Sequence, residues 1–193
     1  MDALALDRAI LVGHSMGTAV AQRFAIDHPD RVFGLVLVGA FAALARNPDC
    51  VAFGETSIAP LSDPIDPAFV RAFQESTLAR PVPKAFLDRV VAESLKVPAR
   101  VWTAAWSELI ATDLTPDLSR IAGPTLLVWG DRDEMVLCAE QEMLVRSIPA
   151  ARLVTFTGAG HAPHWEEPER FAALIAEFAR AVVHADTNTR MRA

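Results

Sequence analysis

The stretch LVGHSMGTA, Leu11–Ala19, decides the fold because it passes from a strand into a helix with almost no loop. Within it, Gly13-His14-Ser15-Met16-Gly17 has the pattern G-x-S-x-G. So sharp a turn strains the backbone of the serine, and glycine at the flanking positions lets neighbouring segments pass close by. We therefore expect the Ser15 hydroxyl to stand clear of the sheet at the N-terminus of a helix.

The helix that follows this turn suggests a chemical role for Ser15. Unpaired backbone N–H groups and the helix dipole favour a developing oxyanion at a helix N-terminus, so the backbone N–H of Met16 is one expected donor. A glycine-softened turn or a phosphate-binding loop is the alternative, but the chain has no G-x-G-x-x-G pattern and no Walker lysine. His14 is expected to pack or to bond the backbone, and it is also a candidate substrate contact.

Outward from this turn, short apolar segments alternate with helical patterns. The expected strands are AILVG from Ala9, GLVLVG from Gly34, PTLLVWG from Pro124 and ARLVTFTG from Ala151. The expected helices are Gly17 to Asp27, Ala139 to Ser147 and Pro168 to His184. Such alternation indicates an α/β fold with a parallel sheet.

One interval departs from the alternation and predicts an insertion. From about Ala42 to Leu118 there is no strand candidate, and Pro67, Pro83 and Pro98 each open a helical pattern. We expect residues 42–118 to form a helical cap on a core made of 1–41 and 119–185. Residues 186–193 are polar and aperiodic, so a disordered tail is expected there.

Composition excludes several classes of function. The 193 residues carry a net charge of -6 with no run of Lys or Arg, so nucleic acid is not an expected partner. The longest charge-free apolar run, Val32 to Ala45, is shorter than the roughly 18 residues of a membrane span, and the N-terminus does not resemble a signal peptide, so a cytoplasmic protein is expected. Cys50 and Cys138 stand far apart without a metal-ligand pattern, which predicts two buried thiols, no disulfide and no metal site.

Two later segments contain the partners that a serine nucleophile needs. A serine hydroxyl reacts only when a base takes its proton and an acid orients that base. VWGDRDEMV follows the third expected strand and offers Asp131 or Asp133, while TGAGHAPHWEEPERF follows the fourth and offers His161 or His164. The residues alone leave both choices open.

Three motifs resemble the α/β-hydrolase superfamily, in particular its capped serine hydrolases of the esterase and carbon–carbon-bond hydrolase type. They are the strand-to-helix turn of residues 13–17, called the elbow below, the G-D-x-D loop of residues 130–133 and the G-x-G-H loop of residues 158–161. The resemblance covers nearly the whole chain. It implies Ser15 as nucleophile, Asp133 as acid and His161 as base, with Glu166 and Pro168 completing the motif after the histidine. It implies acyl transfer through an acyl-enzyme on Ser15, with no metal or organic cofactor.

The position of the elbow near residue 1 departs from that family. Complete members place further strands before the elbow strand, together with a loop that gives a second oxyanion donor. The expected fold is therefore a truncated α/β-hydrolase fold, a mostly parallel sheet of about four strands with a helical cap. The open edge of the first strand predicts a homodimer or higher self-association, and the missing donor predicts a loss of about 100-fold to 1000-fold in turnover. A fragment of a longer hydrolase remains the alternative.

Aromatic residues in the expected cap bear on the substrate. Trp102 and Trp106 lie one helical turn apart and share a face, where they either pack the cap or line a site for an apolar group. Met16, Trp129 and Val136 lie beside the expected catalytic loops and would extend the same wall. We expect a carboxylesterase-like hydrolase acting on neutral, fairly apolar esters. A weakly active or inactive binding protein with the same fold is the alternative.

Overall fold

A parallel sheet of four strands forms the centre of the molecule. The computed structural model describes residues 1–190, and their side chains as far as residue 185. The strands are β1 (Ala9–His14), β2 (Val32–Val38), β3 (Thr125–Gly130) and β4 (Ala151–Phe156), and they lie side by side in that order. All three pairings are parallel, which confirms the predicted α/β class.

The two central strands form because they are apolar on both faces. Successive side chains of a strand point to opposite sides of the sheet. Leu35 and Leu37 of β2 belong to a buried cluster on one face, whereas Val36 and Val38 belong to a second cluster on the other. Such strands are typical of a parallel sheet that is covered on both sides.

Helices cover the two faces of the sheet. The first cluster includes residues of α1 (Met16–Asp27) and α6 (Cys138–Ser147), and the second includes residues of α8 (Pro168–Arg190). The short helix α7 (Pro163–Glu166) precedes α8. The last helix extends beyond the predicted end at His184. The predicted disordered tail, 186–193, therefore overlaps the end of α8, and its remainder lies outside the described residues.

The chain between β2 and β3, residues 39–124, is helical, as its three prolines predicted, and is called the helical segment below. Its α-helices are α2 (Pro48–Phe53), α3 (Pro67–Ser76), α4 (Lys84–Ser94) and α5 (Ala99–Ala111). Pro67 is the first residue of α3, and Pro83 and Pro98 are the N-cap residues of α4 and α5. The sequence did not reveal α2 or the π-helical turn Gly54–Ile58 that follows it.

Three expectations about composition can be compared with the described residues. Cys50 is buried, but the expectation was wrong for Cys138, which is exposed at the start of α6. Within the described part of the chain, no three His, Cys, Asp or Glu side chains are grouped as a metal ion would require. In the same part, every helix is too short or too polar to cross a membrane.

The sheet leaves an apolar edge at β1. This strand pairs with β2 and lies first in the strand order. Val12 on β1 is 53% exposed, and Met16 and Val20 on the following helix are 48% and 64% exposed. An uncovered strand edge with apolar side chains beside it favours pairing with another chain.

Self-association through this edge stays a prediction. We expect sedimentation velocity to show a dimer or larger species at micromolar concentration. A variant carrying both Val12→Lys and Val20→Lys should dissociate at least about tenfold more readily, because each lysine would have to lose its hydration in the interface. Val97→Lys, at an exposed valine of the helical segment, is the matched control. A wild-type chain that sediments as a monomer would contradict the prediction.

Candidate active site

Ser15 occupies a strained turn between β1 and α1. Its backbone has φ 51° and ψ -120°, a region that residues other than glycine rarely adopt. The turn is held because the Ser15 N–H donates to the carbonyl of Val38 at 2.9 Å, and because Thr18 donates both its N–H, at 2.8 Å, and its hydroxyl, at 2.7 Å, to the Ser15 carbonyl. These bonds place the serine directly before the first turn of α1.

The two glycines of the elbow have different roles. A Cβ atom added to Gly13 would lie 2.3 Å from the carbonyl oxygen of Gly17, so the close passage of strand and helix requires glycine at that position. A Cβ added to Gly17 would meet no atom within 4 Å. The expectation that both glycines are needed for close approach therefore holds for Gly13 and is wrong for Gly17.

Asp133 is buried and held in one orientation. Its Oδ1 accepts the backbone N–H groups of Met135 and Val136, each at 2.9 Å, which leaves Oδ2 to accept Nδ1–H of His161 at 2.8 Å. The other candidate acid, Asp131, instead accepts the N–H of Gly158 at 2.5 Å and so ties the loops after β3 and β4 together. The carboxylate that orients the histidine is thus Asp133.

His161 presents its second ring nitrogen without a partner. Its side chain is 3% exposed, and Nε2 is buried and makes no hydrogen bond with any residue that the structure describes. No hydrogen bond joins Nε2 to the Ser15 hydroxyl among those residues; such contacts often tighten only when substrate binds. An imidazole with Nδ1–H on a carboxylate has its lone pair on Nε2, as a general base requires.

The loop that carries His161, residues 157–162 between β4 and α7, crosses the sheet to reach the elbow. It is called the histidine loop below. Ser15 follows one edge strand and His161 follows the other, which are about 14 Å apart at the usual strand spacing. The loop passes so close to the end of β3 that a Cβ at Gly130 would lie 2.2 Å from the Gly160 carbonyl oxygen. Gly39, after β2, has φ +56°, and a Cβ there would lie 2.8 Å from Nδ1 of His161. The His161 ring therefore rests on the end of β2.

The segment after β2, on which this ring rests, is held by side chains that the sequence analysis missed. Gln141 donates to the Ala40 carbonyl at 2.6 Å, and Gln22 donates to the Phe41 carbonyl at 2.9 Å. Both glutamines have 0% exposure. A glutamine at an inward-facing position of a helix was the available signal, because a buried amide needs partners.

The helical segment also contacts the histidine loop. Oε1 of Glu166 accepts the N–H of Gly160 at 2.9 Å and the N–H of Ala79 at 3.1 Å, which joins the loop to the connection between α3 and α4. From that connection Arg80 donates to the Thr157 carbonyl at 2.6 Å and to Glu167 at 2.9 Å. The glutamate named with the histidine motif thus lies between the two parts of the chain.

The predicted substrate contacts lie partly in the strands and loops around the site and partly in the helical segment. Trp129 is buried, and its indole N–H donates to the Val136 carbonyl at 2.8 Å, which supports the acid loop. Met16 is half exposed at the start of α1. Trp102 and Trp106 pack in an aromatic cluster inside the helical segment, and Trp106 also packs against the core cluster that includes Val136. Their neighbours in the aromatic cluster are Phe53, Phe69 and Phe73.

Two histidines beside His161 are partly buried and neutral. Burial, and then repulsion from His161 and His164, lower the pKa of His14 to about 3. Burial, and then repulsion from His161, lower the pKa of His164 to about 4. The His164 ring lies 4.4 Å from the His14 ring, and Nδ1 of His164 is buried without a partner among the described residues. The catalytic histidine candidate therefore has uncharged neighbours at neutral pH.

Comparison with known proteins identifies the family. A sequence profile described as the Alpha/beta hydrolase family matches residues 1–174. The chain belongs to this family. Its elbow and its acid and histidine loops stand in the order that the α/β-hydrolase resemblance implied.

Individual α/β hydrolases give the extent of the likeness. A 2-hydroxy-6-oxo-6-phenylhexa-2,4-dienoate hydrolase from Comamonas testosteroni is 30% identical over 93% of this chain and 65% of its own length. An esterase structure from Exiguobacterium antarcticum superimposes with a TM-score of 0.79 at 20% identity, over 93% of this chain and 69% of the other. A thermophilic esterase from Thermogutta terrifontis is 26% identical and has a TM-score of 0.70, over 94% of this chain and 68% of the esterase. The chain thus spans about 65% of the length of the first relatives that it matches.

The lowered pKa values of these two partly buried histidines predict a loss of stability in acid. Unfolding exposes His14 and His164, which then take up protons near pH 6.5, whereas the folded chain takes them up only near 3 and 4. The unfolded state therefore binds more protons in this range, so the free energy of unfolding falls as the pH is lowered from about 6.5, by up to about 1.4 kcal/mol per pH unit for each histidine. Urea unfolding between about pH 7 and pH 5 measures this slope.

Replacing one of these histidines isolates its part of that slope from the part due to carboxylates. His164→Phe should make the fall with acid shallower by up to about 1.4 kcal/mol per pH unit. An unchanged slope in this variant would show that folding does not lower the pKa of His164.

Proposed function

We propose that the chain is a serine hydrolase that transfers an acyl group from its substrate to Ser15 and then to water. The observation that carries the proposal is the 2.8 Å bond from His161 Nδ1 to Asp133. Nε2 of the same ring has no partner among the residues that the structure describes, and the loop that holds it crosses the sheet to the elbow. This arrangement gives a base the correct tautomer and orientation to activate a serine. Membership of the Alpha/beta hydrolase family supports it.

The proposed reaction uses each group of the site in turn. The Ser15 oxygen attacks the substrate carbonyl while its proton moves to Nε2 of His161, and the Asp133 carboxylate stabilises the resulting imidazolium. The N–H of Met16, in the first helical turn and therefore without an intrahelical acceptor, donates to the oxyanion. His161 gives its proton to the leaving alcohol, whose bond to the carbonyl carbon breaks. Water, deprotonated by His161, then releases the acid and restores Ser15.

The charge distribution around the histidine loop supports a neutral substrate. Arg80, a cation of the helical segment, contacts this loop and is paired with Glu167. A carboxylate-bearing substrate would have to compete with that ion pair. The half-exposed Met16, next to Ser15, favours an apolar acyl or alcohol group instead.

Carbon–carbon bond hydrolysis is the second candidate, and the relatives named as dienoate hydrolases favour it. The same nucleophile, base and acid would serve both reactions. Those relatives act on substrates named as carboxylates, so the pairing of Arg80 with Glu167 is the feature of this chain that favours ester hydrolysis.

Replacing the nucleophile tests the proposal directly. Ser15→Ala should abolish hydrolysis of p-nitrophenyl acetate and butyrate, with kcat reduced by about 10⁴-fold or to background, because the base has no hydroxyl to activate. A fluorophosphonate should label the wild type once, at Ser15. Ser107→Ala, at an exposed serine of α5, is the matched control and should retain activity. Equal rates in wild type and Ser15→Ala would rule out the nucleophile assignment.

The preference for neutral substrates has its own test. p-Nitrophenyl butyrate and mono-p-nitrophenyl succinate have acyl chains of equal length that differ in a terminal carboxylate. We expect kcat/KM to be at least about tenfold higher for the butyrate, because an unpaired carboxylate must be desolvated in the site. Faster hydrolysis of the succinate would instead favour the carboxylate substrates of the dienoate hydrolases.

A further inference from the structure

We infer that His14 is a positioning residue that holds the base His161 against the elbow; the inference rests on the proposed function. Nε2 of His14 lies 3.0 Å from the carbonyl oxygen of His161. A carbonyl oxygen only accepts hydrogen bonds, so Nε2 of His14 carries the proton and donates it. The side chain next to the nucleophile is thus bonded to the backbone of the base.

This bond spans the distance that the sheet imposes between the two residues. β1 and β4 are the first and last strands in the sheet order, so Ser15 and His161 have no backbone pairing that sets their separation. His14 is the last residue of β1, and its ring lies 4.9 Å from the His161 ring. A shift of the histidine loop away from the elbow would break the bond and leave the His161 carbonyl without this partner.

The charge state of His14 suits this role. The groups that face its ring are His161, His164 and Trp165, at ring distances of 4.9, 4.4 and 6.1 Å. Burial keeps the pKa of His14 at about 3, so the ring is neutral when His161 takes up the serine proton. A charged donor in the same place would repel that imidazolium, whereas a neutral N–H fixes the loop without opposing the charge.

Two variants separate the hydrogen bond from the packing. His14→Gln keeps a neutral N–H donor of similar reach and removes the ring, whereas His14→Phe keeps a ring and removes the donor. We expect His14→Phe to lower kcat for p-nitrophenyl butyrate by about 10-fold to 100-fold with KM changed less than about threefold, because a small displacement of the base weakens proton transfer more than binding. His14→Gln should stay within about fivefold of wild type in kcat, since the donor remains.

Normalisation removes the effect of unfolded protein. The value of kcat is calculated per Ser15 labelled by fluorophosphonate, so a variant that folds poorly but positions its base correctly keeps a wild-type value. His28→Phe, at an exposed histidine at the end of α1, is the matched control and should retain the wild-type kcat. A wild-type kcat in His14→Phe, or an equal loss in both His14 variants, would overturn the inference.

A readout without catalysis distinguishes this inference from the proposed function. If the wild type neither hydrolyses esters nor reacts with fluorophosphonate, the proposed function fails, and NMR of the histidine rings still tests the positioning. The Nδ1 proton that His161 shares with Asp133 should be visible in the wild type and in His14→Gln, and it should be lost or shifted in His14→Phe. Identical spectra for all three proteins would overturn the role of His14.

Discussion

The separation between the two edge strands is the constraint on which the site depends. In a parallel sheet, loops at the carboxyl ends of the strands lie on one side, but the first and last of four strands are about 14 Å apart. The elbow follows β1 and the histidine loop follows β4, so the loop must fold back across β3 and β2. Gly130 and Gly39 leave the room for that path, and Asp133 meets the histidine partway along it.

The same constraint explains why buried polar side chains gather around the site. A loop that lies over the ends of strands has backbone groups without sheet partners, and burial makes each unpaired group costly. Gln22 and Gln141 satisfy carbonyls after β2, and Glu166 accepts two N–H groups where the helical segment meets the histidine loop. The positions of the reactive groups are therefore set largely by residues that take no part in the proposed chemistry.

Sequence reasoning predicted the parts of this arrangement that have local signals. The strand-to-helix turn around Ser15, the four apolar strands and the prolines that open the helices after β2 can be recognised without tertiary information. The choice between Asp131 and Asp133 could not be made from the residues alone, since both follow β3 and the bond to His161 depends on a segment 28 residues away. The different roles of Gly13 and Gly17 could not be predicted for the same reason. Whether a position requires glycine depends on how close another backbone segment lies to it in the fold, and the residue type does not show this.

The exposed side of the elbow bears on both the proposed catalysis and the predicted self-association. Met16 and Val20 are exposed on α1, and a Cβ added to Gly17 would meet no atom within 4 Å, so the first turn of α1 has an open side. A hydrogen bond to an oxyanion is stronger where water is excluded. Under the proposed function, a second copy that pairs with the edge of β1 would also exclude water from the oxyanion. The proposed catalysis and the predicted self-association are therefore linked through the same face of the molecule.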